Sequence, residues 1–140
     1  MNDENKTDVE VKGGMVPYLT VEGALAAAAF YVRAFGATIA AAIPADEKGR
    51  TMHVHLHVNG CSLMMSDFYP EHGHPVVAPQ GYELALQVDD IDVWWARAVA
   101  AGAIPVVPVQ EMFWRARYGR LRDPFGVAWS MNQPIVKAGA

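Results

Sequence analysis

Two stretches of the chain carry the same succession of apolar and polar residues, VEGALAAAAFYVRAFGA from Val21 to Ala37 and VDDIDVWWARAVAAGA from Val88 to Ala103. Each begins at the end of a predicted apolar strand, contains an acidic residue, continues with a short helical pattern and ends with Gly-Ala. Self-similarity over this length indicates a duplicated module. Because two copies of a half-open unit naturally enclose a site, the pattern predicts a cavity between them.

The spacing of apolar residues predicts a helix in each copy. In the first, one helical face collects a set of small and aromatic residues, and Gly36 is placed to end the helix. That face consists of Ala24, Ala27, Ala28, Tyr31 and Phe35. In the second, Asp89 or Asp90 is the expected N-cap and Gly102 the stop. Its apolar face consists of Ile91, Trp94, Trp95 and Ala98, which we expect to be packing residues.

Short β-rich runs surround each helix and complete a βαβββ order in both copies. The predicted strands are Met15–Val21, Thr38–Ile43, Thr51–Val58 and Ser62–Asp67 in the first copy, then Ile104–Val107, Tyr118–Arg122 and Val127–Asn132 in the second, after a first strand that contains Glu83. The sequence therefore predicts an α+β fold: a flexible tail over 1–14, one module over 15–67, a linker over 68–81, a second module over 82–134 and a tail over 135–140. Together the modules form one structural domain over 15–134.

Composition narrows the possible functions. A chain of 140 residues with 52% hydrophobic and 19% charged residues suits one globular domain. A net charge of -4 gives no support to nucleic-acid binding, and no apolar stretch approaches the length needed to span a bilayer, so neither a nucleic acid nor a membrane is an expected partner. The single cysteine, Cys61, cannot form an internal disulfide, which favours a cytoplasmic location.

Several segments in the same order resemble one family. PYLTVEG, TMHVHLHVNGCSLMMSD and FWRARYGRLRDPFGVAWSM, together with the repeated helix endings, are similar to the vicinal oxygen chelate superfamily, the group of glyoxalase I, extradiol dioxygenases and bleomycin-resistance proteins. Within it they look most like the PhnB-like subgroup. The resemblance implies two βαβββ modules that form a curved mixed sheet around a cavity, and it implies a homodimer.

The resemblance also implies where a metal would bind. Metal-dependent relatives take one ligand from the first and one from the last strand of each module, and these positions fall at Val16, Met64, Glu83 and Ser130. Only Glu83 offers a donor of the kind that Zn, Fe or Mn sites use. No cofactor is therefore expected at the usual positions, while a divalent metal elsewhere stays open.

Three histidines, His53, His55 and His57, alternate along one predicted strand and so share one face. Their combined span of about 13 Å fits a single ion poorly. A polar face or cavity wall of neutral imidazoles is the favoured interpretation, with His53 and His55 as ligand contacts. A cavity-facing imidazole titrates near neutrality, which makes His53 a candidate acid or base.

Two further groups are candidate ligand contacts. With the family's strand orientation, Glu83 and Gln87 face the cavity, and Glu83 is a contact for a cationic ligand, a catalytic base or the ion-pair partner of a nearby arginine. The subgroup commonly has a tryptophan, an arginine and a tyrosine at the spacing of Trp114, Arg117 and Tyr118, which suits a planar or anionic small molecule. The arginines that lie within eight residues of one another also suggest an anion-attracting rim; they are Arg115, Arg117, Arg120 and Arg122.

Three functional hypotheses follow. The first is a metal-free protein that binds a small molecule in the cavity of the duplicated modules. The second is a metal-dependent lyase, isomerase or dioxygenase of the same superfamily, whose metal has moved to the HVHLH strand and Glu83. The third is a dimeric structural protein whose pocket is filled by side chains, since Trp94, Trp95, Trp114 and Trp129 are bulky.

Overall fold

A computed structural model describes residues 9–136 as two compact units that divide between Val77 and Ala78. Each unit contains one helix and one four-stranded mixed sheet. The boundary falls inside the predicted linker of residues 68–81. Among the described residues, no helix has the length and apolar character needed to cross a membrane.

The first unit has the predicted βαβββ order. Its elements are β1 (Tyr18–Val21), α1 (Ala24–Phe35), β2 (Thr38–Ala42), β3 (Val54–Val58) and β4 (Cys61–Asp67), followed by a 3-10 turn at Pro70–His72. The strands lie in the order β1-β4-β3-β2, with β1 parallel to β4 and the other pairs antiparallel.

The second unit repeats this topology. Its elements are β5 (Leu84–Gln87), α2 (Ile91–Ala101), β6 (Ile104–Met112), β7 (Ala116–Arg122) and β8 (Ala128–Pro134). The strand order β5-β8-β7-β6, with β5 parallel to β8, matches the first unit strand for strand. The duplication read from the sequence is thereby confirmed in hydrogen-bond topology. Strand β6 begins where predicted but continues five residues beyond Val107, because it pairs with β7 up to the turn before Ala116.

Helix α1 buries the face that its apolar spacing predicted. All five predicted residues are at most 1% exposed, and Phe30 and Ala34 join them in the core. The helix ends at Gly36, whose φ of 68° lies in the left-handed region that a side chain would disfavour. Small residues on this face let the helix lie close to its sheet, and the aromatic residues at its end fill the remaining space.

Helix α2 has a thinner buried face. Ile91 and Ala98 are fully buried, whereas Trp94 and Trp95 are half-buried. A Cβ atom at position 119 would lie 2.6 Å from Cζ3 of Trp95, so only glycine leaves room for the indole against β7. The predicted packing role of the tryptophan is therefore confirmed at Trp95.

Part of the predicted N-terminal tail makes specific hydrogen bonds. The Lys12 amide donates to Ser62 Oγ at 2.8 Å, and the Ser62 amide donates to the Lys12 carbonyl at 2.9 Å. The Met64 amide in turn donates to the Pro17 carbonyl at 3.0 Å. Residues 12–17 thus follow the edge of β4 ahead of β1. The remaining parts of the predicted tails, residues 1–8 and 137–140, lie outside the described residues.

Candidate functional site

The strand registers place Met64 in the first unit and Ser130 in the second at equivalent positions, as the family's metal positions require. Met64 pairs with Tyr18 on β1, and Ser130 pairs with Ala85 on β5, so each lies at the same point of its own sheet. Valine and methionine at Val16 and Met64 cannot replace the imidazole and carboxylate donors that such a metal needs, and a serine hydroxyl is a weak substitute. The residues at these positions therefore do not fit the metal of the superfamily's enzymes.

The central histidine of the HVHLH strand is buried. His55 is 3% exposed, and its Nε2 lies 2.7 Å from Ser62 Oγ, the same hydroxyl that accepts from the Lys12 amide. Burial lowers the pKa of His55, and the neighbouring charges of His57 and His53 lower it further. His55 is therefore a neutral, internally satisfied side chain near pH 7 and is not part of an exposed polar face.

The other two histidines have separate partners. His53 Nδ1 lies 3.0 Å from the hydroxyl of Tyr18, a residue that the sequence did not single out. His57 Nε2 lies 2.7 Å from the Glu10 carbonyl, and because a carbonyl only accepts, this nitrogen carries the proton. Within residues 9–136, no group of three His, Cys, Asp or Glu side chains is arranged to hold a metal ion.

Glu83 lies in a polar cluster on the second unit's sheet, on the face opposite to α2. The Tyr118 hydroxyl donates to its Oε2 at 2.8 Å, and Arg120 Nε lies 3.0 Å from its Oε1. Burial, followed by the hydrogen bond to Glu83, raises the pKa of Tyr118. Of the sequence interpretations of Glu83, the structure contains the ion pair with an arginine. Arg120 supplies it, although Arg117 was the arginine singled out as a ligand contact.

A chain of hydrogen bonds continues along the same face. Trp114 Nε1 donates to Asn132 Oδ1 at 3.0 Å, and Asn132 Nδ2 donates to Gln87 Oε1 at 3.0 Å. The Trp114 and Tyr118 rings meet edge to face with centroids 5.3 Å apart. Asn132 was missed in the sequence, but register could have found it, since it is the strand partner of both Gln87 and Tyr118.

Arg117 is separated from this cluster. Its guanidinium binds both carboxylate oxygens of Asp92 on α2, at 2.9 and 3.0 Å, and each partner shifts the pKa of the other toward the charged form. Neighbouring residues of a strand point to opposite faces, so Arg117 and Tyr118 cannot serve one site. The predicted trio of Trp114, Arg117 and Tyr118 is therefore divided, with Trp114 and Tyr118 kept together.

Each unit has an open cavity beside its sheet. The cavity of the second unit has a volume of about 410 Å³ and is lined by Glu83, Arg120 and Arg122 among mostly uncharged residues. One cavity of the first unit, about 560 Å³, lies between the Thr20 and Ser66 hydroxyls and the exposed loop that follows β4. Both volumes lie in the range of small-molecule sites. The second cavity adjoins the polar cluster through Glu83, which takes part in both.

Known proteins share this chain's fold and part of its sequence. The uncharacterized protein Mb0911c of Mycobacterium bovis is 34% identical over 133 residues, which cover 91% of this chain and 87% of that protein. The crystal structure of protein PA1353 from Pseudomonas aeruginosa matches with a TM-score of 0.72 and 32% identity, covering 87% of this chain and 98% of that one.

The expected likeness to PhnB proteins also appears among the solved structures. The PhnB protein of Bacillus cereus matches with a TM-score of 0.68 and 24% identity over 86% of this chain and 99% of that chain, a likeness of fold. The family model described as Glyoxalase/Bleomycin resistance protein/Dioxygenase superfamily matches residues 15–131. With the duplicated βαβββ topology, these matches show that the chain belongs to the glyoxalase/bleomycin resistance protein/dioxygenase superfamily.

Proposed function

We propose that this protein binds a planar small molecule on the polar face of the second unit's sheet. The main support for this proposal is the environment of Trp114. Its surface is 43% exposed, yet the hydrogen bond to Asn132 holds its indole against Tyr118. An aromatic side chain that is held in place but left uncovered offers a stacking surface at low entropic cost. Asn132, Gln87 and Tyr118 beside it supply the few directional polar groups that orient a ligand.

The donor chemistry also favours binding over metal-assisted catalysis. Glu83 is occupied by Tyr118 and Arg120, and the other three family positions carry residues that do not fit a catalytic metal. A ligand held by stacking and by amide hydrogen bonds needs no such ion. The proposed role is therefore a small-molecule binding protein that uses the superfamily's fold.

Naphthylmethanol tests this proposal, because it combines a planar ring system with one neutral hydroxyl. We expect saturable binding in ligand-observed NMR, and we expect Trp114→Ala to weaken it about threefold to tenfold, since an aromatic contact contributes about 0.5–1.5 kcal/mol. The matched control is Trp94→Ala on α2, which should leave the affinity unchanged. If naphthylmethanol does not bind at millimolar concentration, or binds equally well to both variants, the proposed site is wrong.

A further inference from the structure

The second unit's cavity contains more positive than negative charge. Its lining includes two guanidinium groups, Arg120 and Arg122, but one carboxylate, Glu83, and its remaining residues are uncharged at neutral pH. The three side chains thus leave one net positive charge at an open pocket. A pocket of this kind attracts an anion, particularly where its apolar walls reduce the screening by water.

The two arginines lie on one face of β7. Tyr118, Arg120 and Arg122 alternate along the strand, so their side chains share a face at intervals of about 7 Å. The sequence suggested a rim of four arginines, but Arg117 is on the other face with Asp92. Arg120 and Arg122 are therefore the arginines that continue the row begun by Tyr118.

Neither guanidinium is fully engaged by the protein. Arg120 Nε lies 3.0 Å from Glu83 Oε1, yet this buried Nε–H donates no hydrogen bond within residues 9–136. Arg122 donates Nη1 to the Gly126 carbonyl at 3.2 Å and makes no ion pair within the same residues. Both side chains retain N–H groups suited to the two oxygens of a carboxylate.

We infer that this cavity is an anion subsite and that the ligand of the polar face is an aromatic carboxylate. The ring stacks at Trp114 and Tyr118, and the carboxylate meets Arg120 and Arg122, which lie two and four residues beyond Tyr118 on the same face of β7. Glu83 keeps Arg120 at the mouth of the cavity, and the positive charges of the two arginines disfavour a cationic head group that lies over them. This inference rests on the proposed function and narrows its ligand class.

Three compounds with one ring system test the inference: naphthoate, naphthylmethanol and naphthylmethylamine, which differ in the charge of the head group. At low ionic strength we expect naphthoate to bind about tenfold more tightly than naphthylmethanol, because charge-assisted hydrogen bonds are the stronger ones. Added salt should weaken the binding of naphthoate and leave the binding of naphthylmethanol almost unaffected. Naphthylmethylamine should bind most weakly.

Arginine variants locate the subsite. Arg120→Gln and Arg122→Gln should each lower the naphthoate affinity toward that of naphthylmethanol, and Arg120→Lys should keep part of the preference for naphthoate. Arg97→Gln on α2 is the matched control, since it removes one positive charge from the same unit away from the cavity. If Arg120→Gln does not fold, the Arg122→Gln variant tests the inference by itself, because Arg122 is exposed and its replacement should not disturb folding.

The outcomes separate the two proposals. Equal affinities for naphthoate and naphthylmethanol would overturn the anion subsite and leave the aromatic site standing. A preference for naphthylmethylamine, or a naphthoate preference that survives both glutamine variants, would also overturn it. Failure of all three compounds to bind would overturn the proposed function together with the inference.

Discussion

At the scale of single residues, burial changes the chemistry that a histidine-rich strand suggests. Alternation placed His53, His55 and His57 along one predicted strand, but β3 begins at Val54, so His53 precedes it, and the environments of the three imidazoles differ. The N-terminal segment supplies the Glu10 carbonyl to His57 and the Lys12 amide to the hydroxyl beside His55. A local pattern cannot anticipate these partners, because they lie about fifty residues away in sequence.

The buried imidazole makes stability depend on pH. The pKa of His55 in the folded protein lies below its ordinary value of about 6.5, so the unfolded chain binds a proton more readily. The stabilisation is fully present above pH ~6.5 and is lost as the pH falls toward the folded pKa. We expect the free energy of unfolding to fall across this range in urea titrations at constant ionic strength, and His55→Gln to flatten the slope by up to about one proton.

His72→Gln is the control for this effect. His72 is exposed, so its replacement should leave the pH slope of the free energy of unfolding as it is in the unmodified protein. A slope that is equally steep in His55→Gln would show that other groups govern the pH dependence.

At the scale of elements, the last strand of each unit holds the start of its helix. In the first unit, Asp67 at the end of β4 accepts from the amides of Gly23 at 2.6 Å and Ala24 at 3.3 Å, and also from Thr51 at 2.8 Å. In the second, Gln133 Oε1 on β8 accepts from the Ile91 amide at 2.8 Å. The duplicated topology thus preserves a cap position while its chemistry differs.

The two caps should contribute unequally to stability. Asp67→Ala leaves buried amides without an acceptor, each at a cost of roughly 1–3 kcal/mol, so we expect the free energy of unfolding to fall by more than about 2 kcal/mol. Gln133→Ala removes one hydrogen bond from a half-buried site, and we expect a loss of about 0.5–1.5 kcal/mol. Chemical denaturation monitored by circular dichroism measures both.

An asparagine at position 67 tests the reason for the difference. Asp67→Asn keeps one carbonyl oxygen as acceptor. We therefore expect its free energy of unfolding to lie between that of the unmodified protein and that of Asp67→Ala. The capping account would be contradicted by equal losses in Asp67→Ala and Gln133→Ala.

At the scale of the whole molecule, the chain divides where regular structure is missing. No helix or strand lies between the short 3-10 turn and β5, and Val76 and Val77 are 51% and 57% exposed. Exposed segments without regular hydrogen bonding are the preferred sites of proteolysis. Within residues 9–136, we therefore expect the first thermolysin cut on the N-terminal side of Val77, identified by mass spectrometry of the fragments.

A buried control segment lies on β4, where Leu63 and Met65 offer thermolysin equally suitable side chains but are at most 2% exposed. Their peptide bonds should be cut only after the exposed segment. Early cleavage inside β4 would show that the first unit opens more readily than its hydrogen bonding implies.

The sequence by itself determined the elements and their order. Helical spacing and Gly-Ala endings predicted α1 and α2, because a helix buries residues at fixed intervals and ends where glycine accepts a left-handed backbone. Alternation likewise assigned Gln87 on β5 and Glu83, which directly precedes β5, to one face, since successive side chains of an extended segment point to opposite sides. These features depend on local geometry alone.

The tertiary structure decided which chemical groups meet. The turn between β6 and β7 brought Trp114 to Asn132, and strand register brought Arg120 rather than Arg117 to Glu83. Pairing across a sheet depends on residues distant in sequence, and a shift of one position moves a side chain to the opposite face. The repeat therefore predicts the sheet that carries a site, whereas the partners within that site are set by long-range pairing.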